Sequence, residues 1–265
     1  MRKIVIIGAT SGIGLRVAED FARMGWAVGA AGRNTEALRV LEEKFPDNVV
    51  TERIDVTEPG AVKRFFELIG KNAGMDVMLF CSGVGYENEA LDLGREMRTV
   101  QVDVVGFTRI VSAAFRYFRD LDRADGTKGG QIAAITSVAS TRGIAQMASY
   151  SASKRFQRTY LEALEQLSRR QDTGIDFTEI RPGWTRTPLL NPERIYPLTL
   201  DPEYMAAMTE AAILKRKRVA TIDWRWKAIC AVWQLIPRSL WVNAKIEISE
   251  PVPPDPLNPA SEIVK

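Results

Sequence analysis

Short apolar runs alternate along the chain with amphipathic stretches of helical period. Most of the apolar runs stop at glycine or at a polar residue, which is the pattern of buried parallel strands. We predict strands at residues 3–7, 26–31, 49–54, 75–80, 131–136, 175–180 and 218–222. We predict helices directly after the first strand and at residues 35–45, 58–73, 94–121, 150–170 and 223–235.

This alternation of strand and helix determines the predicted fold class. Parallel strands need crossover helices between them, and those helices cover both faces of the sheet. We therefore predict one α/β domain over residues 1–250, a doubly wound parallel sheet (Rossmann fold) of about seven strands. It has a three-layer αβα arrangement and extra C-terminal helices. Ligands of such a sheet bind at the C-terminal ends of its strands.

The first strand leads into a glycine-rich turn. Gly8, Gly12 and Gly14 are spaced G-x-x-x-G-x-G, and helical periodicity follows them. A strand, a glycine turn and a helix in this order are typical of dinucleotide sites. The glycines let the backbone approach a pyrophosphate, and the helix N-terminus supplies N–H groups. The alternative is a tight turn without a ligand.

The second predicted strand ends at Gly32, Arg33 and Asn34. An acidic residue at this point binds the ribose hydroxyls of NAD, whereas an arginine accommodates the 2′-phosphate of NADP. No acid follows the strand here, so we expect NADP(H) to be preferred, with NAD(H) as the second choice. The alternative is a solvated arginine at the start of a helix.

The third and fourth predicted strands also end at candidate cofactor residues. Asp55 and Val56 follow the third strand, and Asp55 is either an acceptor for the adenine amino group or a turn aspartate. Cys81, Ser82 and Gly83 follow the fourth strand. Cys81 is expected to be a small buried residue, because the chain has no histidine to activate a thiol.

Acid–base chemistry is predicted at Ser137, Tyr150 and Lys154. Tyr150 and Lys154 are four residues apart on a predicted helix, so they share one face. An ammonium beside a phenol lowers the phenol pKa from about 10 toward neutral, which suits a general acid or base. Ser137 ends the fifth strand, where its hydroxyl can polarise a substrate carbonyl. A Tyr-x-x-x-Lys pattern alone is more often a surface contact, so the other motifs decide.

Together these motifs resemble the short-chain dehydrogenase/reductase family, over about residues 3–190. The resemblance implies that Tyr150 is the proton donor or acceptor and that Ser137 orients the substrate carbonyl. Lys154 would lower the Tyr150 pKa and bind the nicotinamide ribose, and Arg33 matches NADP-preferring members. No metal is implied. The cofactor-binding set that it implies is Gly8, Thr10, Ser11, Gly12, Ile13, Gly14, Arg33, Asn34, Asp55, Val56, Cys81, Ser82, Gly83, Tyr150, Lys154, Pro182, Gly183, Thr185 and Thr187.

The sequence departs from the family pattern in two catalytic-domain positions. Cys81 and Ser82 stand where the family usually has Asn-Ala. Asp103, aligned through Gly106, stands where the family has a catalytic asparagine that holds a water, so we include it as a fourth catalytic residue. Its charge, if close to Lys154, would raise the lysine pKa and weaken the pull on Tyr150.

The C-terminal part also differs from the family. Residues 189–215 are rich in proline and apolar residues and are predicted to be a substrate-covering loop. Residues 223–248 are predicted to be helical, and residues 251–265 to be an extended or disordered tail. Basic residues alternate with Trp224, Trp226, Trp233 and Trp241. This segment either packs over the substrate pocket or a subunit interface, which we favour, or contacts a membrane surface.

Composition restricts the remaining choices. The chain has 265 residues, two cysteines, no histidine and a net charge of +3. The absence of histidine excludes a Ser-His-Asp triad, and the small charge gives no reason to expect nucleic-acid binding. We expect a cytoplasmic homodimer or homotetramer, associated through helices 94–121 and 150–170 as in the family. The alternative location is the periphery of a membrane.

The predicted function follows from these observations. It is an NADP(H)-dependent oxidoreductase that interconverts a carbonyl and an alcohol by hydride transfer, acting on a small hydrophobic substrate. Two alternatives stay open at this point. One is a peripheral membrane reductase of a lipid-linked or sterol substrate, and the other is a nucleotide-binding sensor without turnover.

Overall fold

The computed structural model describes residues 1–121 and 128–251 of the chain. Within them, seven parallel strands form one sheet. In chain order all strands are β1 (Lys3–Ile7), β2 (Ala27–Gly32), β3 (Val49–Arg53), β4 (Val77–Phe80), β5 (Gln131–Ile135), β6 (Asp176–Arg181), β7 (Arg194–Ile195), β8 (Val219–Thr221) and β9 (Glu250–Pro251). The sheet order is β3-β2-β1-β4-β5-β6-β8, and β7 pairs with β9 as a separate antiparallel ladder.

Helices cover both faces of the sheet. They are α1 (Gly12–Arg23), α2 (Thr35–Lys44), α3 (Ala61–Lys71), α4 (Leu93–Val100), α5 (Phe107–Arg119), α6 (Ala148–Gln171), α7 (Pro202–Leu214), α8 (Trp224–Leu235) and α9 (Arg238–Trp241). The strand order reverses between β1 and β4, which is where a doubly wound sheet opens a ligand crevice. The predicted fold class is therefore confirmed.

Two apolar cores lie on opposite faces of the sheet, because successive strand residues point in opposite directions. On β1, Ile4 and Ile6 pack in the core shared with α1, α2, α7 and α8. Val5 and Ile7 pack in the core shared with α3, α5 and α6. All four side chains are fully buried, and each contributes about 1.5–3 kcal/mol relative to an exposed position. This central strand therefore fixes the position of the glycine turn that follows it.

The helix predicted at 94–121 is not regular. Between α4 and α5 the chain forms a π-helical segment, Gln101–Gly106. Gly106 packs against Val56, three residues after the end of β3, and a Cβ on Gly106 would be 2.5 Å from Cγ2 of Val56. A π-helical turn is a rare insertion that is frequent at functional sites. Here it carries the candidate catalytic residue Asp103, whose side chain is completely buried.

Two predictions for the C-terminal region are wrong in part. Residues 202–214, which lie within the predicted substrate loop, form α7, and this helix packs against α1. Beyond α9, residues 242–243 form a turn and residues 244–249 have no regular secondary structure, so this part is not helical as predicted. The predicted tail lies outside the described residues except at its first position, where β9 pairs with β7. Across residues 1–121 and 128–251, no helix combines the length and apolar character needed to cross a bilayer.

Candidate active site

A cleft of about 700 Å³ runs along the C-terminal ends of the parallel strands. We call the part lined by residues 8–14 the glycine end and the part lined by residues 246–248 the C-terminal end. The sequence-predicted residues that line this cleft are Gly8, Thr10, Ser11, Gly12, Ile13, Gly14, Arg33, Asp55, Val56, Cys81, Ser82, Gly83, Ser137, Tyr150, Lys154, Pro182, Gly183, Thr185 and Thr187.

At the glycine end, backbone packs directly against backbone. Gly8 has a φ of +96°, and a Cβ there would lie 2.6 Å from the backbone nitrogen of Ser82. A Cβ on Gly14 would lie 2.2 Å from the carbonyl oxygen of Gly8. Neither position has room for a side chain. The Ser11 side chain makes no capping hydrogen bond, so the first N–H groups of α1, from Gly12 onward, are available to a ligand.

The two following strand ends carry Arg33 and Asp55. Arg33 is exposed and lines the cleft, whereas the neighbouring Asn34 caps α2 by accepting a hydrogen bond from the N–H of Ala37 at 3.1 Å. Asp55 accepts hydrogen bonds from the N–H and the hydroxyl of Thr57, at 2.9 and 2.7 Å. Burial opposes ionisation of Asp55, but these bonds and the Arg33 charge hold its pKa below its ordinary value. Asp55 therefore closes a turn, and its contact with adenine stays a prediction.

These features fit a dinucleotide. The tight glycine turn admits a pyrophosphate, the N-terminus of α1 supplies N–H donors, and the Arg33 guanidinium provides a cation at the end of β2. The nearest acid after β2, Glu36, is on the exposed surface of α2, where it pairs with Arg39 at 2.6 Å. The donor set therefore suits phosphate oxygens at two points.

Three further side chains meet where β5 ends against the start of α6. Tyr150 is 7% exposed and Lys154 is 4% exposed. The Lys154 Nζ lies 5.6 Å from the centre of the Tyr150 ring. Ser137 Oγ accepts the N–H of Ala139 at 3.1 Å, and the Ser137 side chain is close enough to Tyr150 to lower the pKa of the phenol. The fold therefore brings together the three residues of the sequence motif.

The expectation of a lowered Tyr150 pKa is wrong for this structure. Burial raises the pKa of Tyr150 above its ordinary value, and the Lys154 charge and the Ser137 side chain offset that effect only in part. The Asp103 carboxylate adds to the increase. At neutral pH the phenol is therefore protonated and able to donate.

Asp103 is the closest charged partner of Lys154. Its Oδ2 lies 3.4 Å from the Lys154 Nζ, and its Oδ1 accepts the N–H of Val84 at 2.9 Å. Burial raises the pKa of Asp103, and Lys154 works against this increase. Gln157, which the sequence analysis missed, accepts a hydrogen bond from Lys154 at 3.2 Å and donates one to the Asp103 carbonyl at 2.9 Å. Gln157 follows Lys154 by three residues on α6, and this spacing could have indicated that the two side chains share one helix face.

The loop after β4 supplies one wall of this cluster. Burial raises the pKa of the Cys81 thiol to about 12, so Cys81 is not a nucleophile at neutral pH. A Cβ on Gly85 would lie 2.6 Å from Cδ2 of Tyr150, so the loop backbone packs against the tyrosine ring. Gly83 lies close to the lysine, since a Cβ there would be 3.1 Å from the Lys154 Nζ.

The C-terminal end of the cleft contains residues that no motif indicated. Most come from loops and from the segment after α9, which have no helical or strand period, whereas Arg95 lies on α4 and Trp226 and Trp233 lie on α8. They are Tyr86, Glu87, Arg95, Ile144, Met147, Trp184, Tyr196, Trp226, Trp233, Ile246, Glu247 and Ile248. From the predicted substrate loop, residues 189–191 and 196–197 also line the cleft.

Glu87, in the loop after β4, connects residues 194–196 with the segment after α9. Its carboxylate accepts hydrogen bonds from the Tyr196 hydroxyl at 2.6 Å and from the Ser249 hydroxyl at 3.1 Å. It also lies 3.1 Å from Nε of Arg194, and Arg194 donates to the Ser249 carbonyl at 3.1 Å. Burial and the Glu87 carboxylate raise the pKa of Tyr196 to about 12. We call these four residues the Glu87 cluster, and they hold the two loops and the C-terminal segment together.

Helix α8 packs over the same end. The Trp226 indole donates to the Leu198 carbonyl at 3.2 Å, and a Cβ on Gly183 would lie 2.0 Å from the Trp226 Nε1. Trp226 and Trp233 both line the cleft. This arrangement corresponds to the favoured interpretation of the C-terminal segment, a helix over the pocket.

Comparisons with known proteins agree with this architecture. The chain is 33% identical over 192 residues to an uncharacterized oxidoreductase of Myxococcus xanthus, covering 71% of this chain and 74% of that protein. It is 26% identical over 251 residues to an uncharacterized oxidoreductase of Mycobacterium tuberculosis, covering 91% and 93%. A short chain dehydrogenase from Burkholderia cenocepacia, solved in complex with NADP, superposes with a TM-score of 0.77 at 17% identity, covering 93% of this chain and all of that one.

The family itself is decided by the sequence match. The family model for short chain dehydrogenases matches residues 2–195, which include the glycine turn and the Ser137, Tyr150 and Lys154 cluster. The match extends over most of the chain. The chain therefore belongs to the short chain dehydrogenase family and is an NAD(P)-dependent oxidoreductase.

Proposed function

We propose that the chain is an NADP(H)-dependent oxidoreductase that interconverts a carbonyl and an alcohol, with Tyr150 as general acid and base. The observation that carries this proposal is the buried cluster of Ser137, Tyr150 and Lys154 in the same cleft as the glycine turn. A proton donor and a backbone cradle for a dinucleotide thus lie in one cavity. That combination is what carbonyl reduction requires of a protein.

In the reduction direction, each residue of the cluster has a separate task. Tyr150 donates its proton to the carbonyl oxygen, and the Ser137 hydroxyl donates a hydrogen bond to the same oxygen. The Lys154 ammonium then stabilises the phenolate. Because burial raises the pKa of Tyr150, the proton is in place at neutral pH, which favours reduction. The nicotinamide cofactor, when bound, supplies the hydride.

The preference for NADP(H) is supported by charge. The N-terminus of α1 would hold the pyrophosphate, and Arg33 would hold the 2′-phosphate. NAD-binding sites of this fold place an acid at the end of the second strand. This chain has Arg33 and Asn34 there instead, and the nearby Glu36 is occupied by Arg39.

The substrate that fits best is an apolar carbonyl compound. Trp184, Ile246 and Ile248 face the cleft beside Tyr150, and Ile248 belongs to the same buried apolar cluster as the tyrosine. Apolar walls exclude water from the reacting carbonyl and bind a substrate through its hydrocarbon part. The Glu87 cluster keeps the C-terminal segment against the pocket.

The nucleotide part of the proposal is tested by calorimetry with NADPH and NADH. We expect NADPH to bind about 10- to 100-fold more tightly, and Arg33→Ala to remove most of that difference, since a hydrogen bond to a charged group contributes about 1.5–3 kcal/mol. The control is Arg39→Ala, an exposed arginine on the neighbouring helix. Equal affinities of the wild type for NADPH and NADH would refute the NADP preference. If the wild type bound neither nucleotide, the proposed oxidoreductase activity would be refuted.

The chemical part is tested by turnover. A panel of ketones and aldehydes is assayed with the tighter cofactor on wild type and Tyr150→Phe, which keeps the ring and removes the hydroxyl. We expect a loss of about 10²- to 10⁴-fold in kcat with nucleotide binding retained. Nucleotide binding by the wild type without turnover of any carbonyl compound would favour the sensor alternative.

A further inference from the structure

Helix α8 is apolar on two opposite faces. Its inner face carries Trp226 and Trp233, which pack over the cleft. The opposite face is exposed to solvent, with Trp224 at 75%, Val232 at 59% and Leu235 at 82% exposure. A helix that is apolar all round is normally covered on all sides. None of the described residues of this chain covers the outer face.

The exposed residues form one continuous stripe. They recur at intervals of three and four residues, so they share one helix face. The members of this α8 stripe are Trp224, Ala228, Ala231, Val232 and Leu235. Leu240 on α9 and Val242 directly after it are each 63% exposed and add to the apolar surface.

The charges around the stripe are mostly positive, although Asp223 at the N-cap of α8 pairs with Arg225 at 2.6 Å. Residues 224–246 contain Arg225, Lys227, Arg238 and Lys245 and no acidic residue. Arg225 and Lys227 flank the stripe on its two sides at helical spacing, and Lys227, Arg238 and Lys245 are exposed. We call these four residues the basic fringe. An apolar stripe with a cationic border suits an anionic, partly apolar partner.

Hydrogen bonds attach α8 and α9 to the loop at residues 142–143. Arg142 donates hydrogen bonds to the carbonyls of Trp233 and Gln234 at the end of α8, at 2.8 and 3.3 Å. The indole of Trp241 donates to the Gly143 carbonyl at 2.8 Å. Arg142 therefore supplies capping donors for α8, and Trp241 connects α9 to the loop that precedes the candidate catalytic helix.

We propose that the α8 stripe and the basic fringe dock the protein on an anionic phospholipid bilayer. The stripe would enter the boundary between headgroups and acyl chains, and the fringe would meet the lipid phosphates. α8 has 12 residues, which is too short to span a bilayer and suits a helix lying in its surface. This inference is independent of the proposed catalytic activity. It places the C-terminal end of the cleft next to the lipid.

A second copy of the chain is a poorer occupant of this surface. A two-fold interface places the same patch on both sides, so it would bring two copies of the basic fringe together. No exposed acid within residues 224–246 is available to compensate. An anionic bilayer neutralises the fringe, whereas a two-fold dimer concentrates its charge.

Sedimentation with vesicles tests the proposal on the full chain. Vesicles of phosphatidylcholine alone are compared with vesicles of phosphatidylcholine and phosphatidylglycerol, at low and high salt. We expect binding to the anionic vesicles that weakens with salt. Leu235→Glu should weaken it at least about tenfold, and Lys227→Gln about fivefold. The matched control is Val40→Glu, which places the same charge at a half-exposed position on α2.

Two results would overturn the proposal. One is the absence of sedimentation with anionic vesicles, or sedimentation that Leu235→Glu leaves unchanged. The other is a wild-type dimer in solution that Leu235→Glu converts to monomers while neither form binds vesicles, which assigns the stripe to a second copy. Calorimetric nucleotide affinity and the thermal unfolding midpoint of Leu235→Glu, both expected to match the wild type, show that the variant is folded.

Discussion

At the glycine end of the cleft, backbone contacts backbone within one turn of the chain, whereas at the C-terminal end side chains connect segments that are far apart. Gly8 and Gly14 are six positions apart and leave no room for a Cβ between them. Glu87 and Ser249 are separated by 162 residues and meet through a carboxylate and a hydroxyl. The glycine end is therefore a backbone turn in which Gly8 also packs against the backbone of Ser82, whereas the C-terminal end is built from side chains that meet only in the folded chain.

This difference predicts how each end responds to change. Backbone contacts cannot adapt to an added methyl group, because both partners are fixed by the sheet and by α1. Side-chain contacts can rearrange, lose one bond and keep the rest. We therefore expect abrupt loss of function at the glycine end and graded loss at the C-terminal end.

The largest effect is expected for Gly14→Ala. The new Cβ would lie 2.2 Å from the Gly8 carbonyl oxygen, so the turn must open and the N-terminus of α1 must move. We expect nucleotide affinity, measured by calorimetry, to fall by more than about 100-fold, with about 3 kcal/mol lost in the free energy of unfolding. Gly70→Ala is the control, since a Cβ there meets open space within a helix. Wild-type affinity in Gly14→Ala would contradict a backbone cradle.

The same difference explains which parts of the protein could be predicted from its sequence. The strands of the main sheet and the glycine turn depend on short-range patterns, as does the pairing of Tyr150 with Lys154 on one helix face. The π-helical segment was missed because its cause is distant: Gly106 packs against Val56, fifty positions earlier. Residues 246–248 carry no period, so nothing in the sequence indicated that they line the cleft.

Helix α7 was missed for another reason. Its prolines suggested a loop, yet Pro202 is at the first helical position, where proline is favourable because its missing N–H has no partner in the helix. Asp201 precedes it as the N-cap and accepts the N–H of Glu203 at 2.8 Å. The Asp-Pro pair was therefore a helix start signal that the prolines elsewhere in the segment obscured.

The next largest effect concerns Asp103→Asn, between the two ends. The Asp103 charge raises the pKa of Tyr150 and lies 3.4 Å from the Lys154 Nζ. Removing the charge lowers the phenol pKa, so the pH profile of kcat/KM for alcohol oxidation should move to lower pH, with a gain of about threefold or more on its acidic side. Asn keeps the oxygen that accepts the Val84 N–H. Movement to higher pH would instead mean that Lys154 loses its proton once its partner is neutral.

A smaller effect is expected for Glu87→Gln at the C-terminal end. The variant keeps the shape of the side chain but loses the ion pair with Arg194 and weakens the bond from Tyr196. We expect KM for the carbonyl substrate to rise about two- to threefold, while calorimetric nucleotide affinity stays at the wild-type value. Glu89→Gln, an exposed acid on the same loop, is the control. If Glu87→Gln lost as much nucleotide affinity as substrate affinity, the glycine end and the C-terminal end of the cleft would not act independently.

The smallest effect is expected for Glu210→Gln. Glu210 lies on α7 and faces Asp20 on α1, where these two helices pack together. Glu210 is buried, and burial together with a hydrogen bond to Asp20 raises its pKa from 4.5 to about 7. A raised pKa in the folded state contributes stability that is fully present below pH 4.5 and is lost as the pH rises through about 7. Glu210→Gln removes this dependence.

Thermal unfolding of Glu210→Gln and the wild type between these pH values measures the effect. We expect the wild type to lose about 1–2 kcal/mol relative to the variant as the pH rises over this range. Glu203→Gln, on the exposed side of the same helix, should follow the wild type. Parallel curves for Glu210→Gln and the wild type would mean that the carboxyl pair shares no proton. The contact between α1 and α7 would then depend on apolar packing and on the exposed Arg16–Glu203 pair rather than on a shared proton.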